Sequence, residues 1–202
     1  MKELKPHLIS ILVILILSWY YFIYSGRPLA LNFVNAVTAF SSTFIIGLSF
    51  LWGPLARFIP IFKHTLSYRK PLGLWGFGLA ALHVLLVVFV LLGNSREVTF
   101  ADIVSIGVAA VAFVIFSLMA LTSSNEWVVK LGYSNWKSLQ RTGYLAFAFV
   151  LFHIVLLEKG IFLSRLTGQI AIGFILVIFL LRALVLLFKI PLPEQPMNPT
   201  AK

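Results

Sequence analysis

The chain has 202 residues, of which 60% are hydrophobic and 11% charged, and its 16 Lys and Arg outnumber 6 Asp and Glu. A mean hydropathy of +1.01 excludes an ordinary soluble domain, and basic residues placed between apolar segments argue against a nucleic-acid-binding surface. The absence of cysteine excludes disulfides, thiolate metal sites, iron–sulfur clusters and covalent CxxCH haem attachment.

Six apolar segments are each long enough to cross a hydrocarbon core of about 30 Å as a helix. They lie at 8–24, 34–56, 72–93, 102–122, 140–158 and 166–188. The first follows two lysines without an evident cleavage site, so we expect a retained helix and not a removed signal peptide. We predict one all-α integral membrane domain at 1–190, a six-transmembrane-helix bundle, and a Pro-rich disordered tail at 191–202.

The basic residues predict that both termini lie in the cytoplasm. With the N-terminus inside, twelve Lys and Arg fall on the inner side and four on the outer side. Cytoplasmic loops carry the excess of Lys and Arg in membrane proteins, so this asymmetry favours the N-in, C-in orientation.

Two of the four histidines lie deep in predicted membrane helices. His83 is about eleven residues into the third segment and His153 about twelve into the fifth, so both stand roughly 17 Å from the inner boundary. Ionisable residues at such depth are costly and rare, which makes each a candidate functional residue. Opposed imidazoles at one depth suit axial ligation of a haem iron, whereas His7 and His64 fall at or outside the membrane surface.

One face of each helix carries small residues below its histidine. Positions 3, 7 and 10 before each histidine are Ala80, Gly76 and Gly73 in one helix, and Val150, Ala146 and Gly143 in the other. We predict that these residues form the groove that admits a porphyrin. Helix packing is the alternative explanation for such residues, as hydrogen bonding to a neighbouring helix is for a membrane histidine.

Other sites and functions find less support in the residues. Tetrahedral zinc needs three or four ligands, and a hydrolase needs an orienting acid, neither of which is evident at this depth. A small transporter or scaffold without a redox centre stays open, and it predicts a colourless protein.

Residues spread over 50–158 resemble, in order and spacing, the haem-binding membrane subunit of the bacterial periplasmic methionine sulfoxide reductase system. The resemblance is carried by Gly53-Pro54-Leu55-Ala56-Arg57, Arg69-Lys70-Pro71-Leu72-Gly73-Leu74-Trp75, Ala81-Leu82-His83, Leu121-Thr122-Ser123-Ser124, Lys130-Leu131-Gly132, Trp136, Tyr144 and His153. That family belongs to the wider group of ferric-reductase-like transmembrane domains, which are six-helix bundles that carry electrons on b-type haems.

The resemblance implies a location in the bacterial inner membrane and one b-type haem with His83 and His153 as axial ligands. In the wider group, a second histidine precedes each ligand by 13 or 14 residues, where this chain has Arg69 or Lys70 and Gln140. A second cofactor of the family is haem or flavin mononucleotide.

The resemblance also implies partners for electron transfer. A cytoplasmic flavin reductase or membrane quinol would supply electrons, and a periplasmic molybdenum-containing methionine sulfoxide reductase would accept them. The chain would then be the electron-transfer subunit of an oxidoreductase and not its catalytic subunit. A stand-alone ferric or quinone-linked membrane reductase is the alternative that the resemblance leaves open.

Overall fold

The computed structural model describes residues 4–93, 99–157 and 161–191, and these residues form helices and connections without a β-strand. The α-helices are α1 (Leu4–Ser18), α2 (Leu31–Phe58), α3 (Arg69–Gly93), α4 (Phe100–Leu121), α5 (Asn125–Leu131), α6 (Tyr133–Arg141), α7 (Gly143–Leu156), α8 (Ile161–Ser164) and α9 (Leu166–Leu187). A π-helical turn, Trp19–Tyr24, prolongs α1, and a 3-10 helix, Pro60–Tyr68, leads into α3.

The prediction of six membrane-crossing helices is confirmed. The candidate spans are Leu4–Tyr24, Leu31–Phe58, Pro60–Phe89, Phe100–Leu121, Tyr133–Leu156 and Leu166–Leu187. Several spans start earlier than the predicted apolar segments, because polar residues before the apolar stretch, such as those of α6, are also helical. Of the predicted tail at 191–202, all but Pro191 lies outside the described residues.

The centre of the bundle is α2. Inside this helix 56% of the most apolar stretch is buried, against at most 22% in each other span. It packs against α1, α3 and α9, so most of its surface faces protein and not lipid. Its buried hydroxyl side chains, Thr38, Ser41, Ser42 and Thr43, are tolerated because most of them bond to nearby carbonyls.

The site lies between two helix pairs. Helix α2 packs along α3, and α4 packs along α7, whereas α3 and α7 have little direct backbone contact. Gly76 allows α2 and α3 to pack closely. A Cβ on Gly76 would meet Ile46, with the Ile46 backbone nitrogen at 3.0 Å, and Ser42 donates a hydrogen bond to the Gly76 carbonyl at 2.9 Å. The two pairs thus leave a seam between α3 and α7.

Candidate functional site

His83 of α3 and His153 of α7 face each other across this seam. Their ring centroids are 6.5 Å apart and their planes are inclined by 65°. Both side chains are half-buried. The equal depth predicted from the sequence agrees with this placement.

Each histidine is anchored through Nδ1 to the helix that packs beside its own. Nδ1 of His83 donates to the Asn35 side-chain oxygen of α2 at 2.7 Å. Nδ1 of His153 lies 2.9 Å from the Ser105 hydroxyl of α4 and donates to the Ser105 carbonyl at 3.1 Å, and the Ser105 hydroxyl donates to the His153 carbonyl at 3.1 Å. This network assigns the proton of each neutral ring to Nδ1, which leaves Nε2 with the lone pair that a metal requires.

The separation of the rings fits a bis-histidine haem. Metal–imidazole bonds measure about 2 Å and a nitrogen lies about 1 Å from its ring centroid, so a shared iron sets the centroids about 6 Å apart. The observed 6.5 Å agrees. Among the described residues no three His, Asp or Glu side chains lie together, so this donor set suits an iron held by a porphyrin better than tetrahedral zinc.

The small residues below the histidines divide between two uses. The surface at Gly76 is covered by α2 and not open to a cofactor, and Ala146 is fully buried in the core. A Cβ on Gly143 would lie 2.7 Å from both Phe50 and Met119, so this glycine admits those side chains. Helix packing, the alternative explanation, therefore accounts for these three residues. Gly73 lines the inner cavity described below.

Arg69 and Gln140, which stand where the wider group has its second histidines, make hydrogen bonds between helices here. Nε of Arg69 donates to the Ser49 carbonyl at 3.0 Å, which ties the start of α3 to α2. The Gln140 amide donates to the Met119 carbonyl at 3.3 Å and to the Thr122 hydroxyl at 3.4 Å, at the end of α4. Neither side chain is an iron ligand of the histidine type.

A cavity of about 590 Å³ opens on the side of the bundle that is predicted to be cytoplasmic. A cluster of aromatic side chains adjoins it. Phe50, which lines the cavity, has its ring centroid 4.9 Å from Tyr144 and 5.5 Å from Phe147. Phe147 is fully buried and precedes His153 by six residues, about 9 Å along α7. An aromatic cluster thus extends from the cavity lining to the segment of α7 that precedes His153.

Sequence reasoning missed the two anchors, Asn35 and Ser105. The signal was present as a repeated spacing, because each anchor precedes its histidine by 48 residues. The two helix pairs thus repeat one arrangement, a polar anchor on the first helix and a histidine on the second.

Comparison with known proteins gives two results. The family model described as ferric reductase like transmembrane component matches residues 33–152, more than half of the chain, and this stretch includes both anchors and His83. It ends one residue before His153.

Two curated proteins are similar to parts of the chain. The haem-binding subunit MsrQ of the protein-methionine-sulfoxide reductase of Caulobacter vibrioides is 30% identical over 110 residues, 53% of this chain and 52% of that protein. The magnetosome protein MamZ of Magnetospirillum gryphiswaldense is 33% identical over 99 residues, 46% of this chain and 15% of MamZ. The chain thus matches about half the length of MsrQ and a small part of MamZ.

Proposed function

The chain belongs to the ferric reductase like transmembrane component family, and from this premise we propose that it is a haem-binding electron-transfer subunit of the membrane. His83 and His153 are the proposed axial ligands of one b-type haem. The observation that carries this proposal is the facing pair of imidazoles, 6.5 Å apart, with each Nδ1 anchored to a neighbouring helix.

The protein is a multi-pass protein of the bacterial inner membrane, as its six apolar helices and its family indicate. Its N-in, C-in orientation is part of the proposal. In that orientation the 590 Å³ cavity faces the cytoplasm, and the histidines lie nearer the outer surface.

When bound, the haem supplies reversible one-electron chemistry. The protein fixes the two imidazoles and encloses them between helix pairs. His83 and His153 would hold the haem iron with two nitrogen ligands from the protein and leave no position for oxygen, which suits electron transfer. The buried Phe147 and its aromatic neighbours form an apolar cluster that precedes His153 on α7.

The partners are proposals that rest on the similarity to MsrQ, whose name assigns it to a protein-methionine-sulfoxide reductase. The proposed acceptor is a periplasmic molybdenum-containing methionine sulfoxide reductase, and the proposed donor is a cytoplasmic flavin reductase or membrane quinol. Flavin mononucleotide is proposed as a second cofactor for the inner half, because the cavity is large and the Arg69 and Gln140 side chains bond to backbone and not to a metal.

The deciding experiment is a reduced-minus-oxidised absorption spectrum of the purified full chain, with haem counted per polypeptide. We expect low-spin b-type bands and about one haem per chain. His83→Ala and His153→Ala should each abolish haem retention, whereas His7→Ala and His64→Ala, which change histidines outside the seam, should not. A colourless protein produced with haem available would contradict the proposal and favour a transporter or scaffold.

The acceptor is tested separately. The reduced haem of the purified chain should be reoxidised by a periplasmic methionine sulfoxide reductase only when methionine sulfoxide is present. Reoxidation by ferric chelates alone would favour the stand-alone reductase.

A further inference from the structure

The seam between the two helix pairs has two lateral edges, and one of them is filled by α9. This helix packs against α2 and against α7, so it bridges one pair to the other. The Phe174 ring of α9 lies 5.4 Å from the Phe44 ring of α2, measured between centroids. The Phe179 ring of α9 lies 6.4 Å from the Phe147 ring of α7. A ligand could therefore pass this edge only by displacing α9.

The opposite edge of the seam lies between α3 and α4. Among the described residues, no third helix packs extensively against both of these helices, and they touch less extensively than the helices within each pair. One stacked aromatic pair joins them, because the rings of Phe77 and Phe113 lie 5.6 Å apart and are inclined by only 22°. Phe77 precedes His83 by six residues, about 9 Å along α3, and lines the inner cavity. The stack thus lies between that cavity and the level of the histidines.

On both helices the residues one turn from the stack, toward the histidines, are alanines. They are Ala80 and Ala81 of α3, and Ala109 and Ala110 of α4. Each lies three or four positions from Phe77 or Phe113, and residues at those spacings share a helix face. One turn further stand Val84 and Ile106, each 38% exposed. The α3–α4 edge is therefore closed at the stack and lined by short side chains between the stack and the histidines.

Helix packing is the other explanation for such alanines, because small residues let membrane helices approach closely. Two observations argue against it here. The contact between α3 and α4 is slight, although alanines on both sides would permit a close one. Ala110 is exposed and not covered by the facing helix. The alanines thus leave the edge open where packing would have closed it.

We propose that the α3–α4 edge is the entrance through which haem passes from the bilayer to His83 and His153, an inference that rests on the proposed function. Axial ligands stand perpendicular to a porphyrin plane, and here one ligand comes from each helix pair. A bound porphyrin would therefore lie parallel to the two pairs, with its rim toward the two lateral edges of the seam. Of these edges, the one between α3 and α4 is left uncovered by α9. A planar, largely apolar ring can slide in its own plane through that edge.

The test compares the rates of haem loss and haem uptake in variants of the full chain in lipid nanodiscs. Loss is measured on the haem-loaded protein, as transfer of its haem to excess apomyoglobin. Uptake is measured on protein made without haem and mixed with liposomes that carry haemin, by growth of the Soret band. Ala110→Phe puts a large side chain into the proposed entrance. The matched control is Ala183→Phe, which changes an exposed alanine of α9.

An obstacle in the path raises the barrier in both directions and leaves the equilibrium unchanged. We therefore expect uptake and loss in Ala110→Phe each to slow by about tenfold or more, with haem content at saturation and midpoint potential as in the unchanged protein. Ala183→Phe should keep both rates. The melting temperature shows whether a variant is folded, and Ala81→Phe replaces Ala110→Phe if it is not.

The two rates also separate the entrance from the haem site itself. Rates in the obstructed variant equal to those of the control would overturn the proposal and indicate entry from an end of the seam. Slower uptake combined with faster loss would also overturn it, because that pattern indicates a weakened site and not an obstructed path. An unchanged protein that takes up no haem would contradict the proposed function, and the entrance with it.

Discussion

The side-chain oxygen of Asn35 accepts a hydrogen bond from Nδ1 of His83 at 2.7 Å, across the contact between α2 and α3. A residue that holds a metal ligand in this way fixes the orientation of the ring and sets its basicity. Asn35→Leu removes the acceptor and leaves a buried N–H, so we expect about tenfold weaker haem retention and a higher midpoint potential. Asn35→Asp should keep the haem and lower the potential, because a carboxylate acceptor makes the imidazole a stronger donor to ferric iron.

The control for this prediction is Asn32, one turn earlier on α2, whose side chain accepts a hydrogen bond from the neighbouring Phe33 nitrogen. Asn32→Leu and Asn32→Asp should leave both the potential and the haem content at wild-type values. Opposite shifts for the two Asn35 variants would be hard to obtain from a general structural defect. Equal shifts in the Asn32 pair would remove the case for a positioning role.

Ser105 contacts Nδ1 of His153 through its hydroxyl, at 2.9 Å, and through its backbone carbonyl, at 3.1 Å, so the carbonyl should compensate in part for loss of the side chain. Ser105→Ala deletes the hydroxyl that bonds to the His153 carbonyl at 3.1 Å but keeps the carbonyl that accepts from Nδ1. We expect a loss of about 1 kcal/mol in stability and a smaller shift in potential than in Asn35→Leu. Ser117→Ala, which removes a hydroxyl bonded within α4 to Phe113, is the reference for thermal unfolding.

Two glycines of α3 that are two residues apart should respond differently to alanine. A Cβ on Gly76 would meet Ile46, including its backbone nitrogen at 3.0 Å, whereas a Cβ on Gly78 would have nothing within 4 Å. Gly76→Ala should therefore push α2 and α3 apart and lower the melting temperature by several degrees, since overpacking costs about 1–3 kcal/mol. Gly78→Ala should leave the melting temperature unchanged or raise it slightly. A similar melting temperature for both variants would contradict the close contact at Gly76.

The inner half should not gain a haem through one substitution. Gln140→His places an imidazole where the wider group has one, but the corresponding positions on α3 hold Lys70 and Arg69, the latter bonded to the Ser49 carbonyl. We expect the pyridine haemochrome assay to give the same haem content per chain as the unchanged protein. A second haem in this variant would show that a single inner histidine suffices.

The absence of cysteine allows a direct test of orientation. Leu29, between α1 and α2, and Val129, in α5, are each 84% exposed. In spheroplasts, a membrane-impermeant maleimide should label Leu29→Cys at once and Val129→Cys only after permeabilisation. The reverse pattern would place the N-terminus outside.

The number of membrane helices follows from sequence because it depends only on the length and apolarity of each segment. The equal depth of His83 and His153 can also be predicted, since depth along a helix follows from residue count. That Gly76 and Gly143 serve helix packing cannot be predicted from the sequence in the same way. A small residue invites any close neighbour, and only the tertiary arrangement decides whether Ile46, Phe50 or a cofactor occupies the space.

The roles of Asn35 and Ser105 cannot be predicted from the sequence for a different reason. Asn35 and Ser105 are single polar residues in apolar helices, and such residues usually satisfy their own backbone, as Thr43 and Ser117 do here. Their role becomes apparent only when the partner helix is known. Arg57, Arg69 and Arg182 count in the sequence only as topology signals, because position along the chain does not reveal that these side chains line the inner cavity.

The repeated separation of 48 residues between anchor and histidine has a consequence for biogenesis. Each half of the seam is one inserted hairpin, complete in itself, with its imidazole already oriented by its own partner helix. His83 is synthesised 70 positions ahead of His153. Its ring can therefore be oriented by Asn35 before α7 enters the membrane. A cofactor that needs both imidazoles could therefore be bound only after the second hairpin is inserted, late in the maturation of the protein.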